Sequence, residues 1–458
     1  MASIWERDGK MPAYPAIDAD RRTETLVIGG GMSGLLCGHF LREQNGEYLI
    51  LEKDRIAGGV TKNTTAKLTW QHGMIYTKLR RAFGTEGAAA YLAAGTQALD
   101  AYGRIVRERD IACGYEKKNN FVYGLTSVEK ADLIEEAETI RCLGGRAVYT
   151  ERAEIPLRVT GAVKTFDQAS FHPLLFLSEL AVGLNVCEHS AVTGVERAGN
   201  GYRVQVRTAD GRRFQVRAER IIAASHFPLL QPWGMYFMKL YQQRSYVLAL
   251  KGTGLPPLKG MYIGAAPGSL SFRGWRDTLL LGGFGGRTGR SGGGYDALRA
   301  QASKLFPACQ VETAWAAQDC MSLDGVPYIG PYSRHLPGVF VASGYNKWGM
   351  TGSMAAALAL TGQMDREIAK VFRPDRTMLR RQLFVNGFTS AKNLLTPGTP
   401  RCTHMGCALK WNRQEHSWDC PCHGSRFERG GAVINDPAQS PLYEKAKETR
   451  DETDQTKA

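Results

Sequence analysis

A glycine-rich turn between two apolar runs constrains the fold of this 458-residue chain more than any other feature. Residues 25–28 read TLVI, residues 29–34 read GGGMSG, and the helical pattern LLCGHFLREQ follows. A second apolar run, YLILE, ends at Glu52. The order strand, helix, strand predicts a βαβ unit and therefore an α/β fold.

The glycines of this turn have the spacing of a dinucleotide-binding loop, G-x-G-x-x-G. The first glycine permits the turn, the second lets the backbone approach a pyrophosphate, and the third allows helix and strand to pack. Glu52 can accept the hydroxyls of a ribose. An ordinary βα turn is the alternative, and the motif does not distinguish FAD from a nicotinamide cofactor. The residues predicted to bind the dinucleotide are Gly29, Gly31, Met32, Ser33, Gly34, Glu52 and Lys53.

Two further segments resemble the D-amino-acid-oxidase-like FAD-dependent oxidoreductases, a family that includes glycine and sarcosine oxidases. Residues 57–73 read AGGVTKNTTAKLTWQHG, and residues 322–360 read SLDGVPYIGPYSRHLPGVFVASGYNKWGMTGSMAAALAL. The resemblance extends over most of residues 24–370 and implies FAD as the cofactor. A core helix after a tight turn would also account for the end of the second segment, and the two interpretations are compatible. The FAD contacts that the resemblance implies come from Gly59, Thr61, Thr65, Val192, Gly349, Met350 and Thr351.

The same resemblance implies a Rossmann-like FAD-binding domain into which an α+β substrate domain is inserted, and it implies an amine or amino-acid-like substrate. No catalytic residue is predicted. The oxidoreductase then spans residues 20–372, with FAD-binding parts at about 20–80, 150–229 and 316–372 and substrate-domain parts at about 81–149 and 230–315. The candidates for substrate contacts are Tyr246, Arg273, Arg287, Lys347 and Trp348. For each of them the alternative is an exposed surface residue.

Hydrophobic periodicity predicts the elements that surround these motifs. Helical spacing occurs in residues 85–110, 127–143 and 171–184. Alternation between residues 202 and 224 predicts a β-hairpin around an Asp-Gly turn, and residues 246–282 are interpreted as short strands.

Three segments are expected to be irregular. Residues 282–294 contain eight glycines in thirteen positions, which favours a mobile surface loop over a loop that covers a flavin. Prolines and polar residues predict a linker at residues 373–400. Residues 444–458 contain no apolar side chain larger than alanine and are predicted to be a disordered tail.

Residues 402–427, CTHMGCALKWNRQEHSWDCPCHGSRF, contain four of the ten cysteines and three of the nine histidines. Cys-x-His and Cys-x-x-His motifs provide two thiolates and two imidazoles. This spacing resembles the Rieske family, in whose centre two cysteines hold one iron and two histidines hold the other. Structural zinc is the alternative, because two cysteines and two histidines also suit tetrahedral zinc. The implied ligands of a [2Fe-2S] cluster are Cys402, His404, Cys420 and His423.

The Rieske resemblance implies a small all-β module at residues 401–443, with a disulfide between Cys407 and Cys422. The segments ALKWN and HSWDC predict two strands of a hairpin, in which His416 is a surface residue. Only the irregular TSAKNLLTPGTPR precedes Cys402, so the module looks abbreviated. We expect it to use the flavoprotein body as a second face, since a small hairpin unit buries little core. The other six cysteines are interpreted as packing residues.

The two cofactors together predict an oxidoreductase that oxidises an amine or amino-acid-like substrate and passes electrons through the cluster to an external acceptor. FAD takes up two electrons together, whereas a Rieske cluster carries one at a time. One alternative is a redox sensor or electron-transfer protein without its own amine substrate. Another is a plain flavin oxidase with a structural metal site.

Charge and hydropathy limit the partners. The net charge of +14 comes mostly from scattered arginines without a patch interleaved with aromatic residues, which argues against nucleic acid. An acidic redox protein could dock on such a surface. The longest weakly polar run, residues 350–362, is shorter than the roughly 18 residues of a membrane span, and the first fifteen residues do not resemble a signal peptide. We therefore expect a cytoplasmic protein without a membrane span.

Overall fold

A computed structural model describes residues 2–230, 232–290 and 292–443, so the predicted tail lies outside the described residues. Short 3-10 helices occupy Ile4–Glu6, Val60–Asn63, Trp233–Met235 and Lys370–Phe372. In the described part of the chain, no helix is both long enough and apolar enough to cross a membrane. The α-helices are α1 (Met32–Glu43), α2 (Tyr76–Glu108), α3 (Ser127–Cys142), α4 (Pro173–Ala181), α5 (Tyr236–Lys239), α6 (Gly294–Leu305), α7 (Gly349–Leu360), α8 (Arg366–Ala369) and α9 (Arg381–Leu395).

The first sheet contains the predicted βαβ unit. Its strands are β1 (Arg21–Ile28), β2 (Tyr48–Leu51), β7 (Val186–Cys187), β8 (Ser190–Ala198), β9 (Gly201–Thr208), β10 (Arg213–Ala223), β16 (Tyr328–Pro331) and β17 (Val339–Ser343). Strand β1 lies between β2 and β10 and is parallel to both. The carboxyl ends of these three strands therefore meet at one edge, where ligands of open α/β sheets bind. The predicted hairpin is confirmed as antiparallel β9 and β10.

Helices α1 and α7 lie against each other, and almost every residue of both is buried. This explains the apolar, alanine-rich sequence of α7. The three predicted helices are confirmed as α2, α3 and α4, although α2 is longer than predicted and has a kink at Gly84, where φ is +73°.

The second sheet is mixed and forms most of the remaining body. Its strands are β3 (Lys67–Leu68), β4 (Glu116–Gly124), β5 (Ala147–Thr150), β6 (Gly161–Ser170), β11 (Tyr241–Lys251), β12 (Gly260–Gly264), β13 (Ser271–Trp275), β14 (Thr278–Arg287) and β15 (Gln310–Met321). Strand β6 pairs with β4 and β5. The stretch 150–229, expected to belong to the FAD-binding part, therefore contributes to both sheets.

The prediction of a mobile loop at residues 282–294 is wrong for part of that segment. Its first half is the end of β14, which pairs with β11. A Cβ on Gly285 would lie 2.4 Å from the carbonyl oxygen of Arg244, and one on Gly283 would lie 2.8 Å from Leu270 Cδ2. The glycines allow the strands to pack closely. A high glycine content alone does not distinguish such packing from a mobile loop.

The prediction that residues 373–400 are irregular is also wrong, because residues 381–395 form α9. Pro374 and Pro397 stand outside the helix, so neither interrupts its hydrogen bonds. A third sheet follows, with antiparallel strands β18 (Lys410–Asn412), β19 (Ser417–Asp419), β20 (Arg426–Glu428) and β21 (Val433–Asn435). Strands β18 and β19 confirm the predicted hairpin, and His416 between them is exposed.

Candidate functional site

The turn after β1 has the conformation that the glycine motif predicts. Gly29 has φ +108°, and a Cβ there would lie 2.6 Å from the carbonyl oxygen of Ala224. A Cβ on Gly34 would lie 1.8 Å from the carbonyl oxygen of Gly29. Both obstacles are backbone atoms. A larger residue at Gly29 would collide with the end of β10, and one at Gly34 would push α1 away from β1.

Glu52, at the carboxyl end of β2, is held facing this turn. Its carboxylate accepts hydrogen bonds from the backbone N–H groups of Gly30 at 2.7 Å and Asp54 at 2.9 Å. Burial raises the pKa of the carboxyl group. Each carboxylate oxygen keeps a further lone pair, so Glu52 can accept ribose hydroxyls as predicted.

A cavity of about 1380 Å³ opens above this edge of the first sheet and extends to the second sheet and the third. Gly34 and Thr351 do not line it. Gly34 packs α1 on β1, and the Thr351 hydroxyl donates to the carbonyl oxygen of Thr69 at 2.8 Å. The predicted FAD contacts that line the cavity are Gly29, Gly31, Met32, Ser33, Glu52, Lys53, Gly59, Thr61, Thr65, Val192, Gly349 and Met350.

The residues present fit a dinucleotide. A Cβ on Gly59 would meet nothing within 4 Å, and one on Gly31 would reach only Thr61 Oγ1, at 3.4 Å. The backbone of these two glycines therefore faces open space on the cavity side, where a pyrophosphate could approach it.

Lys67 is a cavity residue that sequence reasoning did not single out. Its Nζ lies 3.1 Å from Thr65 Oγ1 and 3.5 Å from Ser271 Oγ. No carboxylate of the described residues lies within salt-bridge distance. Burial lowers the pKa of Lys67 to about 7. The threonine-rich sequence around Lys67 does not indicate this burial, because Lys67 is buried where β3 pairs with the distant strand β6.

The predicted substrate candidates divide into two groups. Arg273 is fully buried, donates to the carbonyl oxygen of Phe171 at 2.8 Å and does not line the cavity, so its predicted role was wrong. Arg287 also lies outside the cavity. Tyr246, Lys347 and Trp348 do line it.

The second candidate site lies in the third-sheet module. The ring centroids of His404 and His423 are 5.0 Å apart, and the Nδ1 atom of each is buried without a hydrogen-bond partner. Burial lowers the pKa of His404 to about 4 and that of His423 to about 3, so both imidazoles are neutral. Neutral nitrogen atoms without other partners suit a metal, and the four predicted ligands fit a cluster that takes two thiolates and two imidazoles.

The four cysteines of the module are buried together in its core. The sulfur atoms of Cys407, Cys420 and Cys422 all lie within 4.8 Å of one another. All four cysteines are free thiols, so the disulfide expected between Cys407 and Cys422 is not formed.

The cluster loops are held by side chains of the second sheet, as expected for a module that uses the body as a second face. Arg287 donates to the carbonyl oxygens of Pro421 at 2.8 Å and Cys422 at 2.9 Å. Gln242 donates to the carbonyl oxygen of His423 at 2.9 Å. Sequence reasoning missed the role of these side chains, because polar residues in strands also occur on solvated faces.

Charged contacts join the same two parts of the molecule. Arg244 on β11 donates through Nε to Glu415 of the module at 3.0 Å, and Arg426 lies 3.2 Å from the same carboxylate. Lys53 pairs with Asp436 at 2.9 Å, so this predicted cofactor residue contacts the module as well as the cavity. The cavity is therefore lined by the body on one side and by the module on the other.

Two family models match the chain. The model described as FAD dependent oxidoreductase matches residues 24–363, and the model described as Rieske [2Fe-2S] domain matches residues 378–446. The chain is 30% identical to YhfW of Bacillus subtilis (strain 168) over a 497-residue alignment that covers 96% of each chain. The name of that protein describes it provisionally as a Rieske 2Fe-2S iron-sulfur protein. The chloroplastic cytochrome b6-f complex iron-sulfur subunit of Fritillaria agrestis is 38% identical over 85 residues, 18% of this chain and 34% of that protein.

Solved structures share the fold of the larger part. Glycine oxidase from Geobacillus kaustophilus aligns with a TM-score of 0.63 and 18% identity, covering 78% of this chain and all of that one. L-amino acid deaminase from Proteus vulgaris aligns with a TM-score of 0.64 and 14% identity, covering 80% of this chain and all of that one.

These matches favour iron and sulfur over structural zinc and identify the cofactors as FAD and a [2Fe-2S] cluster. The chain belongs to the FAD dependent oxidoreductase family and carries a Rieske [2Fe-2S] domain after its flavoprotein part.

Proposed function

We propose that this enzyme oxidises an amine or amino-acid-like substrate in the cavity and passes the electrons through its Rieske cluster to an external acceptor. The observation that carries the proposal is the continuous cavity, lined by the dinucleotide turn at one end and by the Rieske module at the other. A flavoprotein and a Rieske protein that acted independently would have no need to line one cavity together. When bound, FAD supplies two-electron oxidation, and the cluster supplies one-electron transfer.

The charges in the cavity support an anionic group on the substrate. Lys67 is a buried amine without a carboxylate partner and is charged below about pH 7. Lys347 also lines the cavity, where Asp319 favours its charged form. A substrate carboxylate would satisfy the Lys67 ammonium and would fix the orientation of the neighbouring carbon. Tyr246 lines the wall next to Glu415, its hydroxyl 3.4 Å from that carboxylate.

The two cluster histidines lie against the same side chain of the body but differ in exposure. The Phe227 ring centroid is 6.1 Å from that of His404 and 6.3 Å from that of His423. His423 is 3% exposed. His404 is only half-buried. Both imidazoles therefore lie next to the flavoprotein body, and His404 is the more accessible of the two to an external acceptor.

The proposal is tested by anaerobic titration of the purified holoenzyme with amines and amino acids, followed by visible and electron paramagnetic resonance spectra. We expect a substrate to bleach the flavin absorbance and to produce the signal of a reduced Rieske cluster. In Cys420→Ser the flavin should still bleach but the cluster signal should be absent. Flavin bleaching with an unchanged cluster in the wild-type protein would instead support a plain oxidase.

Replacing Lys67 with methionine is expected to raise KM for an amino acid about 10-fold or more, since one charge-assisted hydrogen bond is worth about 1.5–3 kcal/mol. KM for the corresponding amine without a carboxylate should change little. Because burial places the Lys67 pKa near 7, its charge is present below that pH and is lost above it. The wild-type KM for the amino acid should therefore rise with pH through about 7, and this rise should be absent from the variant.

The matched control is Lys78→Met, because Lys78 also lines the cavity but is exposed. It should leave both KM values and the pH profile unchanged. An equal rise in KM for the amine and the amino acid in Lys67→Met would contradict a carboxylate contact.

A further inference from the structure

Helix α9 has an inverted distribution of polar and apolar residues. Asn386, Thr389 and Asn393 are its buried residues. Phe384 is 67% exposed, Phe388 is 73% exposed and Leu395 is 83% exposed. A helix that packs on a protein core normally turns its apolar stripe inward. Helix α9 instead exposes its apolar side, which is unfavourable unless another molecule covers it.

Specific hydrogen bonds fix this orientation. Asn386 Oδ1 accepts from Arg287 at 2.8 Å, and Thr389 Oγ1 accepts from Arg290 at 3.0 Å. The carbonyl oxygen of Asn393 accepts from the backbone N–H of Ala408, next to the first cluster loop. Rotating α9 to bury the phenylalanines would break all of these bonds, so the exposure of its apolar side is built into the fold.

The apolar side is a continuous stripe. Phe384, Phe388, Ala391 and Leu395 are separated by four, three and four residues, which places them on one face of the helix. We call the surface formed by these four residues the α9 face. Patches of exposed apolar side chains on one face mark sites of interaction with a protein or a membrane.

The segment that contains the α9 face is basic in sequence, although Arg376 within it is paired with Asp324. Arg381 and Lys392, both exposed, flank the stripe. Residues 376–414 contain no aspartate or glutamate. The basic residues of this segment are Arg376, Arg380, Arg381, Lys392, Arg401, Lys410 and Arg413.

We propose that the α9 face binds the surface of an anionic lipid bilayer, with its apolar stripe inserted at the headgroup boundary. A helix with Phe and Leu on one side and flanking Lys and Arg is typical of interfacial helices, and anionic leaflets attract such basic segments. A second copy fits less well, because a symmetric dimer would bring two sets of these positive charges together.

Membrane binding would also bring the first cluster loop close to the lipid surface. The Arg401 side chain donates to the carbonyl oxygens of Leu394 in α9, at 3.0 Å, and Gly406 in the first cluster loop, at 3.1 Å. In that loop His404 is half-buried and Met405 is 43% exposed. Binding through the α9 face would not depend on the identity of the substrate.

The test is flotation of the full-length holoenzyme with vesicles made of equal parts of phosphatidylglycerol and phosphatidylcholine. We expect the wild-type protein to float with these vesicles and to be released by high salt. The double variant Phe384→Ser/Phe388→Ser should lower the partition coefficient by about 100-fold, since each inserted phenylalanine contributes about 10-fold. Arg381→Glu/Lys392→Glu should also weaken binding.

The matched control is Val128→Ser/Val182→Ser, which removes two exposed apolar side chains far from α9 in the sequence, 76% and 56% exposed. This control should float like the wild type. Failure of the wild-type protein to bind the vesicles would overturn the proposal. A dimer in light scattering that Phe384→Ser/Phe388→Ser converts to monomers would overturn it too, because a second copy would then cover the face. Flavin and iron contents of each variant, measured on the same samples, show that it is folded.

Discussion

Replacing Gly34 with valine is expected to abolish FAD binding. The first side-chain carbon would lie 1.8 Å from the carbonyl oxygen of Gly29 and 3.4 Å from Val27 Cγ1. Since the nearer obstacle is backbone, α1 must move away from β1, and the N–H groups at its N-terminus move away from the pyrophosphate position. Overpacking of this kind costs about 1–3 kcal/mol or more, in addition to the lost cofactor.

The measurement is the amount of flavin released per chain on denaturation, together with iron on the same sample. We expect less than about one tenth of the wild-type flavin, because the displaced N-terminus of α1 would no longer reach the pyrophosphate. Iron should remain, since the Rieske module has its own core.

Gly387→Ala is the control for this prediction, because a Cβ there would meet nothing within 4 Å. It should keep its flavin and gain up to about 1 kcal/mol of stability from the better helix propensity of alanine. Full flavin occupancy in Gly34→Val would mean that the turn after β1 does not hold the pyrophosphate.

Local patterns predicted the parts of the site that short segments encode. Gly29, Gly34 and Glu52 act within one βαβ unit, and their spacing is set by the turn and the helix that follows. The ligand pairs of the Rieske module are likewise two and three residues apart. Such motifs can be read from a sequence because the chemistry fixes the distance along the chain.

The contacts between the two parts could not be predicted in this way. Gln242 and Arg287 reach the cluster loops from strands that precede those loops by more than 130 residues. Nothing in YQQRSYVLALK says which of its polar residues meets another sheet. Helix α9 was missed for a different reason. Phe384, Phe388 and Leu395 recur at helical spacing, but the surrounding prolines and polar residues favoured an irregular segment.

Replacing Arg287 with methionine is expected to lower the reduction potential of the Rieske cluster. The guanidinium donates to the carbonyl oxygens of Pro421 and Cys422, within the second cluster loop. Burial lowers its pKa to about 10, so it is still positively charged at neutral pH. Reduction adds a negative charge to the cluster, and a nearby cation stabilises that state. An interaction of about 2 kcal/mol, the size expected for unit charges several ångströms apart in a medium of dielectric constant about 20, corresponds to about 100 mV for one electron.

The potential is measured by redox titration of the cluster signal in the holoenzyme, with Arg290→Met as the control, because Arg290 is a nearby but exposed arginine that bonds to Thr389 of α9. The control should shift the potential much less, since solvent screens its charge. Arg287→Lys separates charge from hydrogen bonding. It keeps the cation but loses the two-pronged contact with Pro421 and Cys422, so a potential close to that of the wild type would assign the effect to charge. If Arg287→Met leaves the potential unchanged while the protein stays folded, the arginine only anchors the module, and the potential must be set within the cluster loops.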